Sequence, residues 1–124
     1  MKLVLSLLFC FILLGCSMKQ MVIDERVSFI DAGWNSHLRL TNVLSTVSED
    51  GHLVVQVKGL NDGSSYQKLQ YRIQWLNKSG VFITTILTRW VDFPAFQNSP
   101  FNFQEIAPST KATSFQILIR ENAL

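Results

Sequence analysis

Leu69-Gln70-Tyr71-Arg72-Ile73-Gln74-Trp75 is the stretch whose reading decides the fold. Every second residue is large and apolar, and the residues between are polar. That period of two puts Leu69, Tyr71, Ile73 and Trp75 on one face of an extended chain, and Gln70, Arg72 and Gln74 on the other. The aromatic and β-branched content suits a half-buried strand. Working outward, the period recurs. Leu53, Val55 and Val57 alternate with Val54, Gln56 and Lys58, and Phe115, Ile117 and Ile119 alternate with Gln116, Leu118 and Arg120. Further strands are predicted at Val27 to Asp31, within His37 to Ser48 around Leu38, Leu40 and Val43, over Val81 to Trp90, and at Phe101 to Ile106. Glu49-Asp50-Gly51, Asn61-Asp62-Gly63-Ser64-Ser65, Asn77-Lys78-Ser79-Gly80 and Ala107-Pro108-Ser109-Thr110 carry turn chemistry. Phe93-Pro94-Ala95-Phe96 and Asn98-Ser99-Pro100 read as irregular, because proline suits edges and loops. About seven short strands without a convincing helix predict an all-β, antiparallel sandwich.

A chain of 124 residues is enough for one domain. Eleven basic residues against nine acidic ones give a net charge of +2, with no basic run. The phosphate attraction that drives nucleic-acid binding therefore has no footprint. The only cysteines are Cys10 and Cys16, both near the N-terminus.

Their positions acquire meaning from the first sixteen residues. Lys2 is a short positive region, and Leu3 to Leu14 is a twelve-residue apolar run broken only by Ser6. Roughly twenty apolar residues are needed to span a bilayer, so the run is too short to do so. Leu13-Leu14-Gly15-Cys16 closely resembles the bacterial lipoprotein signal, or lipobox; Leu14 departs mildly from the small or β-branched residue more usual there. The resemblance implies that a signal helix over residues 1–15 is cleaved, and that Cys16 carries a diacylglyceryl thioether and an N-acyl chain. Two or three acyl chains anchor stably, whereas one binds only marginally. Ser17 in place of Asp resembles the pattern of Gram-negative lipoproteins sorted to the outer membrane, facing the periplasm. Residues 16–26 are then the lipidated end and a flexible tether, and residues 27–124 the domain. The mature chain would keep no thiol for a disulfide, a metal or a nucleophile.

Asn61, the stretch Leu69 to Trp75, Gly80, Trp90 and Ile106-Ala107-Pro108 together resemble the YcfL-type family of small periplasmic lipoproteins. The match runs over about residues 38–121. Ile73 stands where an aromatic is common, and Asn77 near where Asp is common. The resemblance implies an immunoglobulin-like β-sandwich and no activity, since the family's domain has no known function. Some members are encoded beside an outer-membrane lipoprotein that activates peptidoglycan synthases, which points weakly to an envelope role.

No catalytic set stands out. His37 and His52 lack metal-ligand spacing, and zinc takes three or four ligands, so no metal and no cofactor are expected. No Gly-x-Ser-x-Gly elbow occurs. Asp24-Glu25 falls in the tether and Glu49-Asp50 in a turn, so neither pair reads as glycosidase carboxylates. Tyr71 and Trp75 read as core. Arg72 and Gln74 point the other way and could meet a partner, arginine being favoured at interfaces for its preorganised fork. Trp90, Phe93 and Phe96 form an aromatic segment read as a partner-binding patch, with Trp34 of similar standing. The expected function is a membrane-anchored, non-catalytic interaction module that meets another envelope protein. A glycan- or small-ligand-binding lipoprotein is the alternative, and a hydrolase the third reading.

Overall fold

The computed structural model describes residues 24–30 and 37–121. The signal helix, Leu13-Leu14-Gly15-Cys16 and Trp34 lie outside the described residues.

Among the described residues there are seven strands: β1 (Val27–Phe29), β2 (Leu38–Val47), β3 (Leu53–Asn61), β4 (Gln67–Leu76), β5 (Val91–Ala95), β6 (Ser99–Ile106) and β7 (Ser114–Glu121). They form two sheets, β1-β7-β4-β5 and β2-β3-β6, so the all-β sandwich read from the sequence is the fold. Strands β2 to β7 follow the immunoglobulin-type arrangement, with β2-β3-β6 facing β7-β4-β5. The place beside β7 is filled from the N-terminus by β1, which runs parallel to it, Val27 opposite Ile117 and Phe29 opposite Ile119. All other pairs are antiparallel.

The stretch that predicted the fold sits inside sheet one, as β4, flanked by β7 and β5. Leu69, Tyr71, Ile73 and Trp75 all point into the core. They meet Val55 and Val57 of β3 and Phe101 and Phe103 of β6 within one cluster. Burying each such side chain contributes about 1.5–3 kcal/mol. The rings interlock: Tyr71 stacks on Phe103 at 4.0 Å, and Phe93 tilts against Tyr71, Phe101 and Phe103 at 5.1–5.7 Å. Phe101 also lies opposite Gly59, whose missing side chain makes room for the ring. In β2 a register shift between Leu40 and Asn42 changes which residues face inward, so Leu38 and Leu40 are followed by Val43.

The turns behave as their chemistry demands. Gly51 and Gly80 take φ of 83° and 77°, which glycine adopts without a Cβ penalty. Asn77 Oδ1 accepts from Ser79 N and Val81 N, closing the turn after β4.

Three expectations fail. Val81 to Trp90 is not a strand; only Phe82 bridges to Leu76. Conversely, Phe93-Pro94-Ala95 is not irregular. It belongs to β5, where Leu69 opposite Phe93 and Gln67 opposite Ala95 turn both side chains inward. Ser99 and Pro100, also read as irregular, are the first two residues of β6; Pro94 and Pro100 are tolerated because β5 and β6 are the edge strands of their sheets. The turn between them runs over Gln97 and Asn98, and Asn98 takes a positive φ of 51°.

The N-terminal chain docks before β1 begins. Asp24 accepts from Arg26 N, Nε and Nη2 at 2.8–3.0 Å, and the Arg26 guanidinium lies 4.4 Å from the Phe115 ring centre. The hydrogen bonds from Arg26 hold the Asp24 carboxyl below its usual range. Arg26, read from the sequence as the end of the tether, thus already lies against the domain, its carbonyl accepting from Ile117 N at 2.7 Å.

Candidate functional site

The outward residues of β4 are tied to side chains of both neighbouring segments. Gln70 sits between two neighbours. Its Nε2 donates to Asp92 Oδ1 at 2.7 Å, and its Oε1 accepts from Arg120 Nε at 2.9 Å. The Arg120 guanidinium lies over the Trp90 ring at 3.8 Å, a cation–π contact that holds Trp90 half-buried. Trp90 is therefore a fixed wall of this surface.

Arg72 is next along the strand and has a different environment. Two points pin the chain opposite: Ile83 N donates to Trp75 O at 2.8 Å, and Val91 pairs with Tyr71. Between them, residues 72–74 of β4 face residues 84–90, seven against three. The surplus cannot stay in the ladder and bulges away from the edge. Thr88 N donating to Thr85 O, and Leu87 N to Thr85 Oγ1, tie the bulge to itself. What remains is a cavity of about 190 Å³ lined by Arg72, Gln74 and Trp75 on one side and Phe82 to Thr85 and Thr88 on the other. Arg72 Nε and Thr88 Oγ1 are buried there without a hydrogen-bond partner. The bulge turns its apolar tip outward, leaving Ile86 96% and Leu87 63% exposed.

The sequence-derived partner residues thus separate. Arg72 and Trp90 share the outer side of this sheet. Phe93 is corrected to core: it is 7% exposed and packed among Tyr71, Phe101 and Phe103. Phe96 is exposed and leans on Tyr66 at 5.2 Å, at the far end of β5. Thr88, Ile86 and Leu87 escaped the sequence reading, because their β-branched and aliphatic neighbours look like ordinary strand.

The histidines do not converge. His37 pairs with Asp62 at 3.3 Å, and His52 Nδ1 lies 2.8 Å from Ala107 O. Among the described residues no group of three or more His, Cys, Asp or Glu could hold a metal.

Tyr71 reaches across the sandwich, donating through its hydroxyl to Glu105 Oε1 at 2.5 Å. Burial pushes the phenol well above its ordinary range, and the hydrogen bond to Glu105 and that carboxylate's charge act the same way. The native state therefore holds this proton more tightly than the unfolded chain. The resulting stabilisation is complete below the ordinary tyrosine value near pH 10, and is lost as pH rises toward the raised native value. Tyr71→Phe is expected to cost about 1 kcal/mol at neutral pH and to flatten the alkaline loss. Urea unfolding of both proteins at about pH 7 and about pH 11 checks this.

Fold and surface define a small two-sheet β-sandwich whose elaboration is an edge bulge. Residues 19–121 match the family model described as a protein of unknown function, DUF1425, and the chain belongs to that family. Two solved structures share the fold. The crystal structure of Campylobacter jejuni Cj0090 is 16% identical with a TM-score of 0.68, over 80% of this chain and 100% of that one. A DUF1425 member from Shewanella sp. is 17% identical with a TM-score of 0.63, over 85% and 98%. No curated protein matches.

Proposed function

We propose that the protein is a lipid-anchored, non-catalytic interaction module of the bacterial envelope, tethered through Cys16 to the outer membrane and facing the periplasm. The lipobox-like Leu13-Leu14-Gly15-Cys16 and the resemblance to YcfL-type lipoproteins support the address. The observation that carries the interaction role is the open edge of β2. This strand runs for ten residues and, among the described residues, has a strand neighbour on one side only. Leu44 and Val47 stand exposed along it. An unpaired edge of this length is a template for a strand from another chain. The partner is an extended segment of a second envelope protein.

Two measurements test the two halves. A photocrosslinking residue at Thr46, in the full chain in its own cells, is expected to trap one defined envelope protein, whereas the same probe at exposed Lys58 on the central strand β3 does not. Equal, diffuse labelling at both positions sinks the edge-docking role. Cys16→Ser is expected to abolish acylation and removal of residues 1–15 together, read as loss of the lipid mass and retention of the leader on intact-protein mass spectrometry. Cleavage elsewhere with no acyl mass in the unaltered protein would overturn the anchor.

A further inference from the structure

The cavity under the 84–90 bulge has an unmet chemical demand. Arg72 Nε is a charged donor and Thr88 Oγ1 a hydroxyl; both are buried, and neither has a partner. Leaving such groups unmatched is costly, whereas an oxyanion would accept from both. Three of the other described arginines are engaged, Arg26 with Asp24, Arg39 with Asp62, and Arg120 with Gln70 and Trp90, and Arg89 is exposed to solvent.

The surroundings narrow the class of anion. Ile86 and Leu87 project from the bulge, and Val81 and Phe82 are exposed just before it. An anion-seeking cavity beside apolar side chains in water matches an amphiphile, a phosphate joined to hydrocarbon. Topology then says which amphiphile is at hand. Val27 begins β1 opposite Ile117, Ser114 opens β7 opposite Leu76, and Leu76 bridges Phe82. The N-terminal chain, the turn after β4 and the start of the bulge therefore share one end of the sheet. Lys78 and Lys111 line a groove at that same end. Asp24 is only eight residues from Cys16, a reach of at most roughly 26–29 Å at ~3.3–3.6 Å per residue.

We propose that this end of the sandwich seats on the phospholipid surface that holds the anchor. Arg72 and Thr88 take a headgroup phosphate, Ile86 and Leu87 enter the interface, and Lys78 and Lys111 face the anionic surface. The inference rests on the lipid-anchored reading above.

The test uses the lipidated protein in vesicles. Ile86→Cys and, as control, Gln104→Cys on the opposite sheet each carry one environment-sensitive fluorophore, since Cys16 is acylated and Cys10 leaves with the leader. In phosphatidylethanolamine–phosphatidylglycerol vesicles, quenching by spin-labelled lipid is expected to be at least about twofold stronger at 86 than at 104. In vesicles of the phosphate-free lipid digalactosyldiacylglycerol the difference shrinks. Arg72→Gln or Thr88→Val, with an unchanged circular dichroism spectrum, shrinks it in phospholipid too. Equal quenching at both positions overturns the seating, and equal quenching in both lipids overturns the phosphate site. Loss of the difference on adding inorganic phosphate, but not matched chloride, would assign the cavity to a free anion. Protein that floats with vesicles yet keeps residue 86 in water contradicts this inference alone, whereas protein that never floats contradicts the anchor as well.

Discussion

Gly59→Ala is expected to cost about 3 kcal/mol or more, and Gly59→Val to leave no folded protein. A Cβ at this position would stand 2.2 Å from Phe101 Cζ and 2.6 Å from the Arg39 carbonyl oxygen. The first obstacle is a buried ring held by Phe93, and the second is backbone of the neighbouring strand. Neither can yield cheaply in a close-packed core. A stability of about 5–15 kcal/mol leaves little room for that loss. Thermal and urea unfolding of Gly59→Ala measure the cost directly. Gly80→Ala is the informative contrast. Nothing lies within 4 Å of its added Cβ, so only the strain of a positive φ is paid, about 1–2 kcal/mol. Adding Phe101→Leu to Gly59→Ala should recover part of the loss but not all, because the Arg39 carbonyl remains. If Gly59→Ala melts with the unaltered protein, the close approach of Phe101 to β3 is wrong.

Asn61→Leu ranks second, at about 3–5 kcal/mol. Asn61 is the one buried polar residue among the described residues, at 1% exposure. Its Nδ2 donates to Ser65 O at 3.0 Å and Ala95 O at 2.9 Å, and its Oδ1 accepts from Gly63 N at 3.0 Å. One amide thus shapes the turn after β3 and ties it to the end of β5 in the other sheet. Leucine fills similar space but strands two carbonyls and an N–H. Asn61→Asp isolates the polarity from the shape: it keeps the outline and points acceptors at two carbonyl oxygens. Near neutral pH it is expected to be at least as damaging as leucine. A much milder effect of aspartate in urea unfolding would show that packing, not the donated hydrogen bonds, holds the corner.

These two residues were legible to different degrees. Asn61 announced itself as the first residue of a polar turn, because Asn-Asp-Gly-Ser-Ser is local chemistry. That its amide reaches Ala95 was not legible, since the partner lies 34 residues on. Gly59 carried no mark at all. Its need for a missing side chain arises from Phe101, which faces it only once β3 and β6 pair.

The candidate site divides the same way. Arg72 is placed outward by the period of two, and Trp90, read as part of an exposed aromatic patch, is half-buried beneath the Arg120 guanidinium. Phe93 was misplaced because Pro94 suggested a loop, when an edge strand accepts proline. The bulge was invisible because Val81 to Trp90 has the composition of a strand. Its departure from one is a mismatch in length, seven residues opposite three, fixed by where Ile83 and Val91 attach to β4.

By itself, then, the sequence determined what is local: an all-β chain, the inner face of Leu69, Tyr71, Ile73 and Trp75, and the turns at Gly51 and Gly80. Period and backbone permissiveness belong to each segment before it meets any other. The tertiary structure alone decided that β1 runs parallel to β7 and that Phe93 is core. It also decided that Arg72 and Thr88 share a cavity with no partner for either. Those are relations between distant stretches, set by how many residues lie between two points of pairing.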